Sequence, residues 1–341
     1  MDPLVFEPYC RPQVWGGRRL QQQLNKPLPA EGTFGEAWEI SAQSLHVSRV
    51  AEGPLAGMRL TELWATRAAE LVGNAAHAPA EFPLLVKYLD CQELLSIQVH
   101  PNDEIARRLG CGQFGKTEAW IVMEAAPEGL IYAGFRPGVQ REDVERRLAD
   151  GTLAQCLHSF APCKGDVVFL AAGTVHAVGG GVLMAEIQQS SDATFRLFDW
   201  NRPGSDGKPR PLHKKEALMS IDWSAGPVAP VKPGPLQGLA AGAEGERLVT
   251  CDYFSIDRLY LRSSLDLPHP QRLSIWMVPQ GAAELASAAT GYRRTFSRGA
   301  TVLVPASAQA LRWTSLQNET ILLRVESRES RVESRDLRFE I

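Results

Sequence analysis

One segment of this chain occurs twice, and the repeat constrains the fold more than any other feature. Gly165-Asp-Val-Val-Phe-Leu-Ala171-Ala-Gly173-Thr-Val-His176 aligns without a gap on Gly299-Ala-Thr-Val-Leu-Val-Pro305-Ala-Ser307-Ala-Gln-Ala310. Each copy reads as a turn glycine, a strand, a bend of small residues and a further turn, so two similar units are expected. Strand-length apolar runs recur at 82–89, 94–99, 119–123, 130–133, 166–170, 182–187, 254–261, 273–278, 301–304 and 320–325. The 29 glycines and 23 prolines are spread rather than clustered, as many short strands and turns require. Helical periodicity is confined to 60–72, to 141–157 with Val144, Leu148 and Leu153 on one face, and to a short stretch after Pro101. There Asn102 can cap a helix, and Asp103 and Glu104 favour its positive end. The reading is a mainly β protein with a few helical insertions.

At 341 residues the chain suits about two domains of ordinary size. Residues 222–238 hold four prolines and little that could build a core. They read as a linker or an extended connection between a first domain, 1–221, and a second, 239–341. The net charge of -3 leaves no electrostatic footprint for nucleic acid or an anionic membrane. The acidic, proline-bearing N-terminus does not read as a signal peptide. The apolar stretch 167–185 is broken by Gly173, Gly179, Gly180 and Gly181, with His176 at its centre. It reads as two buried strands joined by a turn rather than a membrane span. Six cysteines, at 10, 91, 111, 156, 163 and 251, show no regular spacing. They are expected to be reduced, small buried hydrophobes in a cytoplasmic protein. The charge-alternating segment 324–336 reads as a solvated strand end or tail.

The repeat resembles the second motif of the cupin superfamily, whose usual form is glycine, five residues, proline, one residue, glycine, two residues and histidine. The first copy keeps the histidine but has Ala171 for proline. The second keeps Pro305 but has Ser307 and Ala310 in place of glycine and histidine. The resemblance implies two jelly-roll β-barrels, the second lacking metal ligands.

Three short segments carry candidate chemistry. Strand alternation sets Gln98 and His100 on one face of one segment, and Lys116 and Glu118 on one face of another. His176 follows at the motif turn. A lone strand histidine is more often a satisfied core residue, and a lone strand glutamate more often surface. The ordered set His100, Glu118 and His176, with the amide of Gln98 added, suits one Zn²⁺ or another divalent ion with a coordination position left open.

Seven segments, in order, are similar to the type I phosphomannose isomerase family in its shorter bacterial form: WGG at 15–17, GEAWEIS at 35–41, FPLLVKYLD at 82–90, SIQVHPNDE at 96–104, GKTEAW at 115–120, GTVHA at 173–177 and SSDATFRLFDWNR at 190–202. The resemblance implies metal-dependent interconversion of mannose 6-phosphate and fructose 6-phosphate through an enediolate. It implies metal ligands at Gln98, His100, Glu118 and His176, with Gln98 the ligand that could instead orient a water. It places a catalytic arginine at Arg196, and further pocket residues at Lys87 and Ser96, for the phosphate, and at Lys116, Glu186, Asp192 and Arg202. The general base stays open among a hydroxide on the metal, Lys116 and Glu186. Competing readings are a cupin oxygenase or epimerase, or a sugar-phosphate binder without turnover. Oxygen chemistry would need two adjacent open coordination positions, which Gln98 opposes. A small sugar phosphate is the expected partner, and the chain is expected to be a monomer or small homo-oligomer.

Overall fold

The computed structural model describes residues 1–74, 78–204, 207–237, 239 and 244–328. The first half contributes β1 (Tyr9–Gly17), β2 (Phe34–Ile40), β3 (Ala42–Gln43), β4 (His46–Val47), β5 (Leu84–Cys91), β6 (Ile97–Val99) and β7 (Glu118–Ala125). It continues with β8 (Leu130–Phe135), β9 (Leu157–Phe160), β10 (Val167–Leu170), β11 (His176–Gly179), β12 (Val182–Gln189) and β13 (Phe195–Phe198). Helices α1 (Arg19–Leu24), α2 (Leu60–Val72), α3 (Asp103–Leu109), α4 (Arg141–Ala149) and α5 (Lys214–Ser220) are insertions between strands. One sheet has the order β1-β2-β5-β12-β7-β10 and the other β13-β6-β11-β8-β9. They bury a shared apolar layer in which Leu89, Trp120 and Met184 meet Ile131, Ala133 and Val178.

The second half repeats this plan with sheets of six and four strands. Phe254–Leu261, Thr320–Ser327, Ser274–Gln280 and Thr301–Val304 follow one another in the same order as β5, β12, β7 and β10. The two copies of the sequence repeat thus form the same edge strand of two equivalent sheets. Ala310 immediately precedes the strand Leu311–Ser315, where His176 opens β11.

The two six-stranded sheets also pack on each other. Leu84, Val86, Tyr88 and Ile187 join Ile256, Ile275, Met277 and Leu323 in one core. Both faces of β5 and β12 are therefore covered, and all eight residues of each strand are buried. That explains why apolar residues stand on both faces of these strands, at Leu84, Leu85 and Val86 and at Leu183, Met184 and Ala185, instead of alternating with polar ones.

Several sequence expectations needed correction. The helix expected over 141–157 stops at Ala149, because Gly151 adopts φ +69°. A 3₁₀ turn, Leu153–Cys156, and β9 follow. The stretch 167–185 holds parts of three strands rather than two. β1 and β2 lie outside the apolar runs, because Glu36 and Glu39 interrupt β2 yet are buried within it. Cys111 and Cys163 are exposed, so the reading as buried hydrophobes fits Cys91 and Cys156 only in full. The proline-rich connection is held against both halves: Val228 N donates to Ala133 O, Val231 N to Val167 O, and Gly234–Pro235 pairs with Glu246 and Arg247. Residues 329–336 of the charge-alternating segment lie outside the described residues.

The turn glycines of the repeat differ in surroundings. Gly165 and Gly299 both hold positive φ, +93° and +87°. A Cβ at Gly165 would meet open space, whereas one at Gly299 would fall 2.6 Å from the carbonyl oxygen of Leu24. Gly165→Ala should therefore cost about 1 kcal/mol, the strain of positive φ alone. Gly299→Ala should cost more than about 3 kcal/mol, because backbone must also move. Denaturant titration of the two variants checks the ordering.

Candidate metal centre and cavity

The site lies between the two sheets of the first half, and cross-strand register assembles it. In the smaller sheet Gln98 of β6 stands directly opposite His176 of β11 on one side and Arg196 of β13 on the other. Directly opposed residues share a face, so these three project together; Ser96 and His100 flank Gln98 with the same parity. In the larger sheet Lys87 pairs with Glu186, which pairs with Trp120 of β7. Glu118 lies two residues before Trp120 and therefore faces the same way.

His100, Glu118 and His176 converge from these elements, their potential ligand atoms all within 4.8 Å of one another. All three are buried, Glu118 fully. His100 Nδ1–H donates to Ala193 O and His176 Nδ1–H to Thr174 O, both at 2.9 Å. Each hydrogen bond turns the remaining nitrogen, Nε2, toward Glu118, at 3.5 Å from Oε2 and 3.3 Å from Oε1. Burial, and then the charge of Lys116, holds the His100 pKa well below its usual value; burial lowers that of His176 to about 4. Both rings are thus neutral at pH 7 with a lone pair facing inward, as metal ligation requires. Burial raises the carboxyl of Glu118 to about 7, partly offset by Lys116. Neither of its oxygens receives an aligned hydrogen bond, although Lys116 Nζ lies 2.8 Å from Oε2 and 2.9 Å from His100 Nε2. An orphaned buried carboxylate between two neutral imidazoles fits a divalent cation.

The loop bearing Lys116 is fixed by local bonds. Asn102 caps α3, its side chain accepting from Ile105 N at 2.9 Å, as the sequence indicated. Asp103 accepts from Gly115 N and from Gln189 Nε2, while Gln189 Oε1 accepts from Thr117 N. Backbone on both sides of Lys116 is therefore anchored.

Above this set opens a cavity of about 420 Å³, a size suited to a small polar ligand. Its lining includes the sequence-indicated Lys87, Ser96, Gln98, Lys116, Glu186, Asp192 and Arg196. Lys87 is buried between Glu186 at 3.1 Å and Glu36 at 3.5 Å. Burial tends to raise the pKa of Glu186, but Lys87 and Lys116 outweigh it and hold the carboxyl below its usual value. Arg196 Nε donates to Ser96 Oγ at 3.2 Å. Gln98 turns Nε2 to His176 and Oε1 to Ser96, each at 3.3 Å, so ligation by its oxygen would need the amide turned over. Asp192 sits at the rim, 3.6 Å from Arg11. Arg202 does not line this cavity; it pairs with Asp199 behind the wall and borders a separate groove with Trp200 and Glu93. Sequence reasoning missed Arg11, Glu36 and Arg210, all of which line the cavity. None of the three carries a spacing signal.

Fold and site together define a cupin-type protein with a buried His–Glu–His cluster that could hold a metal ion, beneath a polar cavity. Residues 5–119 match the model of the phosphomannose isomerase type I catalytic domain. The chain is 32% identical over 308 residues to mannose-6-phosphate isomerase ManA of Bacillus subtilis, covering 89% of this chain and 93% of that protein. It is 34% identical over 268 residues to the mannose-6-phosphate isomerase of Streptococcus mutans, covering 78% and 81% of the two chains. The crystal structure of mannose 6-phosphate isomerase from Bacillus subtilis superposes with a TM-score of 0.86 at 27% identity, over 96% of this chain and all of that one. The chain belongs to the type I phosphomannose isomerase family.

Proposed function

We propose that this chain interconverts mannose 6-phosphate and fructose 6-phosphate in the cytoplasm, with a divalent ion, zinc before others, held by His100, Glu118 and His176. The observation that carries the reading is the orientation of the set: two neutral imidazoles fixed through Nδ1 to backbone carbonyls, facing a buried carboxylate without aligned donors. A bound divalent ion supplies Lewis-acid stabilisation of negative charge on the sugar oxygens.

The other tasks fall to side chains of the cavity. Aldose–ketose isomerisation moves a proton between C1 and C2 through an enediolate, and the developing negative charge sets the barrier. Arg196, a permanent cation in the cavity wall, is placed to stabilise that charge. Glu186 is ionised, lines the cavity and has one oxygen without an aligned donor. Of the two candidate side-chain bases it is the better placed to accept and return the proton, because Lys116 is engaged with Glu118 at 2.8 Å. Lys87 keeps Glu186 charged and in position. The second half, with Ala310 at the histidine position, is assigned a supporting role; Tyr253 OH from that half donates to Asp103 Oδ2 at 3.3 Å, behind the Lys116 loop.

A coupled assay on mannose 6-phosphate, with and without chelator, tests the reading. Activity should vanish on chelation and return with zinc. Free mannose should be turned over far more slowly, since binding energy from the remote phosphate holds the reacting carbons in place. Full activity in metal-stripped protein, or equal turnover of the two sugars, would contradict it.

A further inference from the structure

The charges around the cavity are unevenly distributed, and the imbalance falls on residues that sequence spacing does not single out. Most cavity cations have carboxylates of their own. Lys87 lies between Glu36 and Glu186, Arg11 is 3.7 Å from Glu36 and 3.6 Å from Asp192, and Lys116 is 2.8 Å from Glu118. On the wall formed by β13 and the chain after it, Arg196, Arg202 and Arg210 lie near one carboxylate, Asp199, which pairs with the latter two. Arg210 grips it with one edge of its fork, Nε to Oδ2 and Nη2 to Oδ1, each at 2.6 Å. Arg202 holds the same carboxylate through Nε and Nη2. Arg196 makes no ion pair among the described residues and donates Nη1 to the carbonyl of Pro211, the residue after Arg210. Arg196 and Arg210 therefore line the cavity side by side with more positive charge than their surroundings neutralise.

We propose that Arg210 is the anchor for the phosphate of the substrate, and so the residue that selects a phosphorylated over a free sugar. This rests on the isomerase reading above. Three observations support it. Arg210 lines the cavity, while its bidentate contact to Asp199 fixes the guanidinium plane before any ligand arrives, which reduces the ordering cost of binding. Its Nη1 has no protein acceptor among the described residues, so one edge of the fork is available for a phosphate oxygen. The surplus charge also has a physical mark: burial, and then the charge of Arg210, lowers the pKa of Arg196. A dianion placed beside the pair relieves that repulsion. Arg196 is then left to the reacting end of the sugar, and Lys87, neutralised on two sides, holds Glu186 rather than the phosphate.

The test measures kinetics of wild type, Arg210→Ala and Arg210→Gln on mannose 6-phosphate and on free mannose, with calorimetric titration of inorganic phosphate into each metal-loaded protein. Loss of a charge-assisted anchor should raise KM for mannose 6-phosphate about tenfold to a hundredfold with kcat within about threefold. The efficiency toward free mannose should be unchanged, and affinity for inorganic phosphate should fall by a similar factor to the rise in KM. If Arg210→Ala does not fold, Arg210→Gln, which can still hydrogen-bond Asp199, is judged by the same readings. A KM within twofold of wild type overturns the proposal. So does an equal loss with both sugars, which would mark Arg210 as a scaffold for the wall. A wild type inactive on mannose 6-phosphate would refute the isomerase reading instead, and the phosphate titration would still judge Arg210.

Discussion

Replacing Arg196 with alanine should lower kcat about a hundredfold to a thousandfold, the usual cost of losing one donor that stabilises developing charge. KM should change little, because an interaction made mainly in the transition state does not hold the ground state. The side chain lies in the cavity wall, opposite Gln98 in register, with a hydroxyl and a carbonyl as its partners and no carboxylate among the described residues. Its charge is therefore free to act on the substrate. Arg196 touches none of the three metal-ligand candidates, so metal content should be unchanged; measuring zinc per chain beside the rates separates catalysis from loss of the site. Arg196→Lys should restore only part of the rate, since a single ammonium cannot replace a planar fork. A folded, metal-loaded Arg196→Ala protein with near wild-type kcat would move charge stabilisation to Lys116.

What the sequence revealed of this site depended on spacing along the chain. Gln98 with His100, and Lys116 with Glu118, were legible because strand alternation sets residues two apart on one face. His176 was legible because it ends a repeated motif whose other copy has Ala310 there. The repeat also disclosed the duplicated sheets, since its two copies form the same edge strand of each. Cross-strand register was not legible. Nothing in the order of residues states that Gln98 lies opposite both His176 and Arg196, yet that pairing builds the cavity wall. Glu36 was missed because a glutamate in a strand suggests surface, whereas here it is buried, salt-bridged to Lys87 and hydrogen-bonded by Trp38 Nε1 at 2.7 Å. Arg210 was missed because it sits in an irregular loop, where no periodicity assigns a face. Arg202, by contrast, was marked by its place in a motif, and three residues of chain geometry turned it onto Asp199 and away from the cavity.

Loss of the metal should produce the largest effect of all. His176→Ala removes one of two neutral imidazoles from a set that can offer an ion three strong ligands, and leaves Glu118 with a single histidine. Metal occupancy should fall to near zero at micromolar zinc and activity with it, as should follow for His100→Ala. His213→Ala is the control: its ring accepts from the backbone N of Arg196 at 3.2 Å but lies outside the ligand set, so zinc content should be retained. A readout independent of turnover is available, because an ion that binds only the folded chain stabilises it. At one hundred times its dissociation constant, zinc should add about 2.7 kcal/mol to the unfolding free energy of wild type. The same addition should leave His176→Ala unmoved. The metal-free variant should itself remain folded, since the packed core contributed by both halves does not pass through the site. Zinc binding and zinc-induced stabilisation in His176→Ala equal to wild type would show that the ion is held elsewhere, and the assignment of Glu118 and His100 would fall with it.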